Sequence, residues 1–264
     1  MHPDLQRHID LCNNIQLPAG RRKFLIGDQH VGWLDPRIVP PLLGFPGVTQ
    51  AGDAVVLSAD RAAELPEIAQ AISALGFYRN RREAFDVRAE LDGPVLSTID
   101  RGALPAFGIA AVGVHVNGLV RRADGLHLWV ARRAANKALD PGKLDHIVAG
   151  GVSAGMSVME TLIKEAGEEA AIPPELAAHA ELRSKIAYTM QRPEGLRRDV
   201  LFCYDLELPE DFIPQAADGE VESFELWPIR RAVDVLAAGD DFKFNVNLVL
   251  IDLFARLGLA PQLR

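Results

Sequence analysis

The segment Gly150–Ile172, GGVSAGMSVMETLIKEAGEEAAI, has the pattern of a glycine-containing loop followed by an amphipathic helix. Ser157 and Glu160 form an S-x-x-E capping box, which predicts that the helix starts at Ser157. Pro173-Pro174 predicts where the helix ends. Apolar residues recur between these limits at helical spacing, at Val158, Leu162, Ala166 and Ala170. The segment therefore predicts a helix with one face packed on a core.

Three carboxylates project from one face of this predicted helix. Glu165, Glu168 and Glu169 stand at i, i+3 and i+4, within about one turn. Like charges this close repel one another, and the C-terminal end of a helix disfavours anions. A hard divalent cation such as Mg²⁺ would remove the repulsion, since it takes oxygen ligands from carboxylates and substrate phosphates. The alternative interpretation is a solvated acidic helix face.

The same segment resembles the Nudix hydrolases, whose box reads G-x5-E-x7-R-E-U-x-E-E-x-G-U, with U apolar. Gly150 takes the opening glycine, and residues 164–172 (KEAGEEAAI) take the second half without a gap. The resemblance implies that Gly150, Glu165, Glu168 and Glu169 hold the metal, which is Mg²⁺ or Mn²⁺. It also implies that the three glutamates are catalytic.

Three positions depart from the box. Met156 stands in place of its first glutamate, Lys164 in place of arginine, and Ala171 in place of its last glycine. Lysine keeps the charge but loses the bidentate geometry of a guanidinium group. The spacing of the box is intact, and its three central glutamates are present.

The flanking sequence predicts an α+β or mixed α/β fold without regular βαβ alternation. Residues 109–120 and 126–130 predict a hairpin, residues 199–208 and 221–227 predict strands, and residues 229–238 and 244–257 predict helices. The pattern changes near residue 105, so we expect an N-terminal α+β accessory domain over 1–105 and a second domain over 106–264. The resemblance implies that the second domain is a Nudix α/β/α sandwich with a mixed sheet.

Composition excludes several classes of protein. The 264 residues carry 28 Lys+Arg against 36 Asp+Glu, a formal charge of −8, with a pI near 5.4. This acidic balance argues against a general nucleic-acid binder. The sequence has no signal-peptide pattern and no apolar run long enough to cross a bilayer. Two distant cysteines predict reduced thiols, so we expect a cytoplasmic protein with no membrane partner.

A wider resemblance points to one Nudix subgroup. Residues 129–133, 141–145, 195–196, 203–209 and 242–245 look like Nudix proteins with an extra N-terminal domain, related to the Nudix part associated with thiamine pyrophosphokinase. Members resemble enzymes that hydrolyse thiamine diphosphate and its oxidised analogues to the monophosphates. Two alternatives stay open: a Nudix hydrolase of nucleoside-diphosphate derivatives, and a catalytically weakened Nudix-fold protein that binds a ligand as a regulator.

Further site residues are predicted from residue type and position. Family members often add an acidic residue from a later loop or strand, for which Glu220 (metal) and Glu222 (catalytic) are the candidates, with a solvated surface as the alternative. Of the adjacent pair Arg132 and Arg133, one should face the site, and Arg132 is favoured. The remaining substrate-binding candidates are Lys137, His146 and Trp33, although structural roles are open for the histidine and the tryptophan. The expected partner is a small-molecule diphosphate, and a homodimer is expected only because symmetric oligomers are common.

Overall fold

The computed structural model describes residues 3–137, 139–216 and 219–259. Its first part contains α1 (Pro3–Cys12), β1 (Arg22–Ile26), β2 (Gln29–Leu34), α2 (Val39–Leu42), β3 (Val48–Ala51), β4 (Ala54–Leu57), α3 (Leu65–Ala74), β5 (Ala84–Val87), β6 (Ser97–Asp100) and α4 (Leu104–Phe107). Strands β1–β4 form one sheet in the order β2-β1-β4-β3, and β5 and β6 form a separate antiparallel hairpin. This part is the smaller α+β domain that the sequence predicts.

The second part is built around a larger sheet. Its elements are β7 (Ala111–Arg122), β8 (Gly125–Arg133), β9 (Leu144–Asp145), β10 (Val148–Gly151), α5 (Val158–Ala170), α6 (Pro174–Ala177), β11 (Glu181–Arg192), β12 (Gly195–Glu207), β13 (Val221–Pro228), α7 (Ile229–Ala238) and α8 (Val246–Arg256). The sheet runs β11-β12-β7-β8-β13, with β10 paired to β7 and β9 to β8. Strands β7 and β12 are parallel and the other pairs are antiparallel, so the sheet is mixed.

The contacts of strand β12 show that helices cover both faces of this sheet. Phe202 and Tyr204 lie in the same buried cluster as Leu162 and Ala166 of α5. Their neighbours Leu201 and Cys203 lie in a different cluster with residues of α8, among them Leu248 and Val249. Because successive side chains of a strand point to opposite faces, the alternation places α5 on one face and α8 on the other. The predicted α/β/α sandwich with a mixed sheet is therefore confirmed.

The N-terminal helix does not share the core of the domain that follows it. The N-terminal core cluster runs from Phe24 to Ile109. In contrast, Leu5 and Cys12 of α1 are buried with residues of the second part, and the Arg7 side chain donates to the Gly239 carbonyl. The predicted division between residues 105 and 106 falls inside α4, whose side chains still belong to the N-terminal core.

The structure has the helix and the capping box that the sequence of the Nudix-like box predicts. Helix α5 has the capping box in full, because the Ser157 hydroxyl accepts from the Glu160 N–H and the Glu160 carboxylate accepts from the Ser157 N–H. The helix ends at Ala170, three residues before Pro173. The sequence pattern did not predict β11, whose residues are mostly half-buried or exposed. Within the described ranges, no helix has the length and apolar character needed to span a membrane.

Candidate metal centre and active site

Helix α5 and strand β10 place two of the predicted glutamates together. Glu169 is buried, and its Oε2 accepts a hydrogen bond from the Ala149 N–H at 2.8 Å. Glu165, one turn earlier, lies across Gly150: a Cβ there would be 2.4 Å from the Glu165 Cγ and 2.6 Å from its Cδ. The absence of a side chain at Gly150 therefore creates the space in which the Glu165 carboxylate sits.

A small cleft opens beside Glu169 where several strands end. It is lined by Ala131, Arg133, Lys137, Asp145, His146, Ala149, Glu169, Glu220 and Val221. The carboxylates come from three distant parts of the chain, and the strand pairings β8–β9, β8–β13 and β7–β10 bring them to one place. The cleft is therefore formed by the ends of several strands together with α5.

The electrostatics of the carboxylates indicate that they fit a hard cation. Burial raises the pKa of Glu169 well above its ordinary value, and the charges of Asp145, Glu165 and Glu220 raise it further. Burial also raises the pKa of Glu165. A buried cluster of carboxylates is costly without a counter-charge, and its oxygen donors are those that Mg²⁺ and Mn²⁺ prefer. The residues present therefore fit a divalent cation bound between α5, β10 and Glu220.

Basic side chains pair with two of the carboxylates that line the cleft, Asp145 and Glu220. Arg133 pairs with Asp145 at 2.7 Å, and Lys243 approaches the same carboxylate at 3.4 Å. Burial alone would raise the pKa of Asp145, but the charges of Lys243 and Arg133 together hold it well below its usual range. Lys137 forms an ion pair with Glu220 at the edge of the cleft. Asp145 thus stays charged as a partner of fixed cations.

Two buried histidines lie next to Asp145, and one of them, His146, lines the cleft. The Nδ1 atoms of His115 and His146 are 3.0 Å apart, and a carboxylate oxygen of Asp145 lies close enough to complete a group with the geometry of a metal site. Burial lowers the pKa of both histidines, to about 4 for His146, so both rings are neutral. Arg133 and Lys243 already neutralise Asp145 and would repel a cation bound to this group, so the glutamates fit a divalent cation better.

Comparison with known proteins decides the family. Residues 112–247, just over half of the chain, match the family model described as the NUDIX domain. This chain belongs to the Nudix hydrolases. Residues 4–111 match a second model, described as a domain of unknown function, DUF4743. The family is one of metal-dependent pyrophosphohydrolases that cleave diphosphate bonds, so the chain is an enzyme of that class.

Curated relatives share the two-domain layout. The chain is 38% identical to Nudix hydrolase 24 (chloroplastic) of Arabidopsis thaliana over 262 residues, which cover 95% of this chain and 72% of that protein. It is 44% identical to Nudix hydrolase 20 (chloroplastic) of the same plant over 67% of this chain, and it spans 48% of that protein's length. The crystal structure of DR0079 from Deinococcus radiodurans is similar over 64% of this chain and 98% of its own, at 22% identity and a TM-score of 0.49.

Of the remaining predicted site residues of this Nudix protein, some line the cleft and others do not. Arg133, and not the favoured Arg132, lines the cleft, because the Arg132 guanidinium instead donates to the Gly142 carbonyl. Glu220 lines the cleft, whereas Glu222 is exposed on β13, where the pairing with β8 is irregular between residues 221 and 223. Glu168 is exposed and pairs with Lys164.

Trp33 lies in the N-terminal domain and does not line the cleft. Its ring packs edge-on against His30 at 4.8 Å, and its carbonyl accepts from Arg21 at 3.0 Å. The predicted stacking on a substrate ring has no support from this position. His146 lines the cleft as predicted, but its ring is buried against His115.

Sequence reasoning missed Asp145, Lys243 and His115 as site residues. Asp145 and Lys243 fall in two of the segments that resemble the Nudix subgroup, at 141–145 and 242–245, which was the available signal. Nothing in the local pattern distinguishes His115, which lies in the middle of a buried strand.

Proposed function

We propose that this protein is a Mg²⁺-dependent hydrolase that converts thiamine diphosphate, or an oxidised analogue, to the monophosphate and phosphate. The observation that carries the reaction class is the buried Glu169, which lies among the carboxylates of Glu165, Glu220 and Asp145 and opposite basic side chains. The substrate rests on the resemblance of segments outside the box to the thiamine-related Nudix subgroup.

The glutamates have distinct parts in this proposal. Glu165 and Glu169 hold the cation, with Glu168 and Glu220 at the more exposed side. Gly150, predicted as a metal ligand, instead gives room to Glu165, because it is paired with Val114 and its carbonyl faces β7. When bound, the cation neutralises the diphosphate and lowers the pKa of the attacking water. The Ala149 N–H fixes the Glu169 carboxylate at the strand edge, so that it meets the reacting group in one orientation.

Arg133 and Lys137, the basic side chains that line the cleft, orient the substrate. Arg133 is held by Asp145 and by the carbonyls of Leu139 and Asp140, so it contributes a fixed positive charge and not a mobile side chain. Lys137, at the edge of the cleft and one-fifth exposed, is placed to donate to a phosphate oxygen. A diphosphate then lies between the carboxylates that hold the cation and the basic side chains.

The test measures phosphate release by the full chain with and without Mg²⁺. The substrates are thiamine diphosphate, oxothiamine diphosphate and ADP-ribose, and the variants are Glu169→Gln and Glu175→Gln. Glu175 is a matched control because its carboxylate is exposed on α6, outside the cleft. We expect Mg²⁺-dependent turnover of a thiamine compound that Glu169→Gln abolishes and Glu175→Gln preserves.

Other outcomes select the alternatives. Preferred turnover of ADP-ribose would replace the thiamine substrate by a nucleoside-diphosphate derivative. Turnover of none of them, together with a rise in melting temperature on adding one, would favour the regulator. Full activity in Glu169→Gln would refute the metal assignment.

A further inference from the structure

Strand β10 carries two adjacent glycines, and each of them makes room for a side chain from another part of the chain. A Cβ at Gly150 would be 2.4 Å from the Glu165 Cγ of α5. A Cβ at Gly151 would be 2.7 Å from the Cζ of Phe85, a residue of β5 in the N-terminal domain. Because successive positions of a strand point to opposite faces, Glu165 and Phe85 lie on opposite sides of β10. The strand is therefore enclosed between a predicted metal ligand and the N-terminal domain.

The Phe85 ring is a rigid support on its side of the strand. It is 3% exposed and belongs to the core cluster of the N-terminal domain, as does Ile99, its partner across the β5–β6 hairpin. The tip of the ring points at Gly151, because the Cζ atom is closer to the position of a Cβ there than Cε1 (3.3 Å) or Cε2 (3.8 Å). A close-packed core yields little, so the ring blocks movement of β10 away from α5.

The same hairpin binds the loop that leads from β10 to α5. The Val152 N–H still donates to a carbonyl of β7, at 2.9 Å, whereas the Ala154 N–H donates to the Ala84 carbonyl of β5 at 2.7 Å. The Gly155 N–H donates to an Asp86 carboxylate oxygen at 3.2 Å. The chain thus passes from the sheet of the Nudix domain to the hairpin of the N-terminal domain, which holds both the end of β10 and the loop after it.

The position of β10 determines how the two buried glutamates are arranged. The Glu169 Oε2 accepts from the Ala149 N–H at 2.8 Å, and the Glu165 side chain lies against Gly150. The pairing of β10 with β7 covers only four residues, so it is a short anchor for a strand that supports a metal site. A shift of β10 would therefore alter the separation and the orientation of both carboxylates.

We propose that Phe85 of the N-terminal domain is a positioning residue of the Nudix metal centre. By filling the space beside Gly151, it holds β10 against Glu165 and Glu169. Phe85 reaches neither the cation nor the substrate, and no described residue of its domain lines the cleft, so it acts through the strand. The N-terminal domain is then part of the catalytic unit. This inference rests on the proposed function, in which Glu165 and Glu169 hold the cation.

The test compares Phe85→Ala and Phe85→Leu with Phe24→Leu in the full chain. Phe24 is a matched control: it is a buried phenylalanine of the same core cluster, on β1, and its ring packs edge-on against Phe107 at 5.6 Å. Loss of a residue that orients metal ligands costs about 10- to 100-fold in metal affinity or activity. We expect Phe85→Ala to lower kcat at saturating Mg²⁺ about tenfold or more, with KM for thiamine diphosphate within about twofold of wild type. Phe85→Leu should recover part of the loss, and Phe24→Leu should melt at a lower temperature with unchanged kcat.

Titration calorimetry with Mn²⁺ gives a readout without turnover, and Glu169→Gln identifies the binding event that belongs to the glutamates. We expect Mn²⁺ binding about tenfold weaker in Phe85→Ala and unchanged in Phe24→Leu. The double variant Phe85→Ala/Gly151→Ala should bind Mn²⁺ more tightly than either single variant, because the new Cβ collides with the ring only when the ring is present.

Two results would overturn the inference. One is a folded Phe85→Ala protein with kcat and Mn²⁺ affinity within twofold of wild type; the other is an equal loss of both in Phe24→Leu, which would assign the effect to general destabilisation. If wild type binds Mn²⁺ at the glutamates but hydrolyses no diphosphate, the proposed function fails, yet the titrations still decide the role of Phe85. If wild type binds no Mn²⁺ there, the metal assignment fails and the inference fails with it.

Discussion

Replacing Gly150 with alanine should separate catalysis from folding. A Cβ at this position would be 2.4 Å from the Glu165 Cγ and 3.0 Å from its Oε2, whereas ordinary contacts of a Cβ begin at 3.4 Å. The Cγ is near the start of the side chain, so Glu165 must change rotamer or α5 must move away from β10. The backbone of Gly150 is not in the left-handed region, so alanine itself is tolerated there.

The expected loss of activity follows from how closely the new Cβ would approach Glu165. Relief of the contact needs a shift of about 1 Å in Glu165, and a displacement of about 1 Å at a catalytic group costs on the order of 100-fold in rate. The change in unfolding free energy should stay within about 1 kcal/mol, because the lower entropy of the unfolded chain offsets part of the local strain.

The assay is Mg²⁺-dependent phosphate release, with urea unfolding on the same samples. Gly167→Ala is the control, since this glycine lies in α5 close to the same glutamates and a Cβ there meets nothing within 4 Å. We expect Gly167→Ala to keep full activity and to gain up to about 1 kcal/mol of stability. A folded Gly150→Ala protein with more than half of the wild-type kcat would refute this account of Glu165.

The remaining predictions concern stability. Glu169→Gln should raise the melting temperature of the metal-free protein, because burial and neighbouring carboxylates raise the pKa of Glu169 and make its charge costly; a lower melting temperature without Mg²⁺ would contradict this. Ala171→Gly should stabilise by about 1 kcal/mol with unchanged activity, since Ala171 caps the C-terminal end of α5 at φ 53° and an L side chain is disfavoured there; urea midpoints that fall on substitution would count against it. His146 has its pKa lowered to about 4 in the folded state, against about 6.5 unfolded, so its contribution is fully present above pH 6.5 and is lost as the pH falls towards 4. The loss is about 3 kcal/mol by linkage, and His115 adds to it in the same direction; unfolding free energies that do not change between pH 7.5 and 4.5 would disprove the neutral pair.

Some of the site was predictable because it is local. The capping box of Ser157 and Glu160 and the one-turn spacing of Glu165 and Glu169 depend only on helix geometry. The placement of Glu165 against Gly150 is also consistent with the box, which keeps a glycine at that point. These features needed no knowledge of the rest of the fold.

The flanking side chains were not predictable to the same degree. The choice between Arg132 and Arg133 depends on which face of β8 meets the cleft, and a strand pattern alone leaves both faces open. The same holds for Glu220, which precedes β13, and Glu222, which lies within the irregularity of its pairing with β8. In each pair, the contacts with β8 and its neighbours decide the outcome.

By itself, the sequence determined that this chain carries a Nudix box on a capped helix, with a carboxylate set suited to a divalent cation. Only the tertiary structure decided what surrounds that set: Asp145 with its partners Arg133 and Lys243 near Glu169, and Phe85 of the N-terminal domain packed against Gly151. The physical reason is distance along the chain. Helical spacing sets contacts between residues three or four apart, whereas contacts between residues 60 or more apart depend on strand pairing and domain packing that no local pattern encodes.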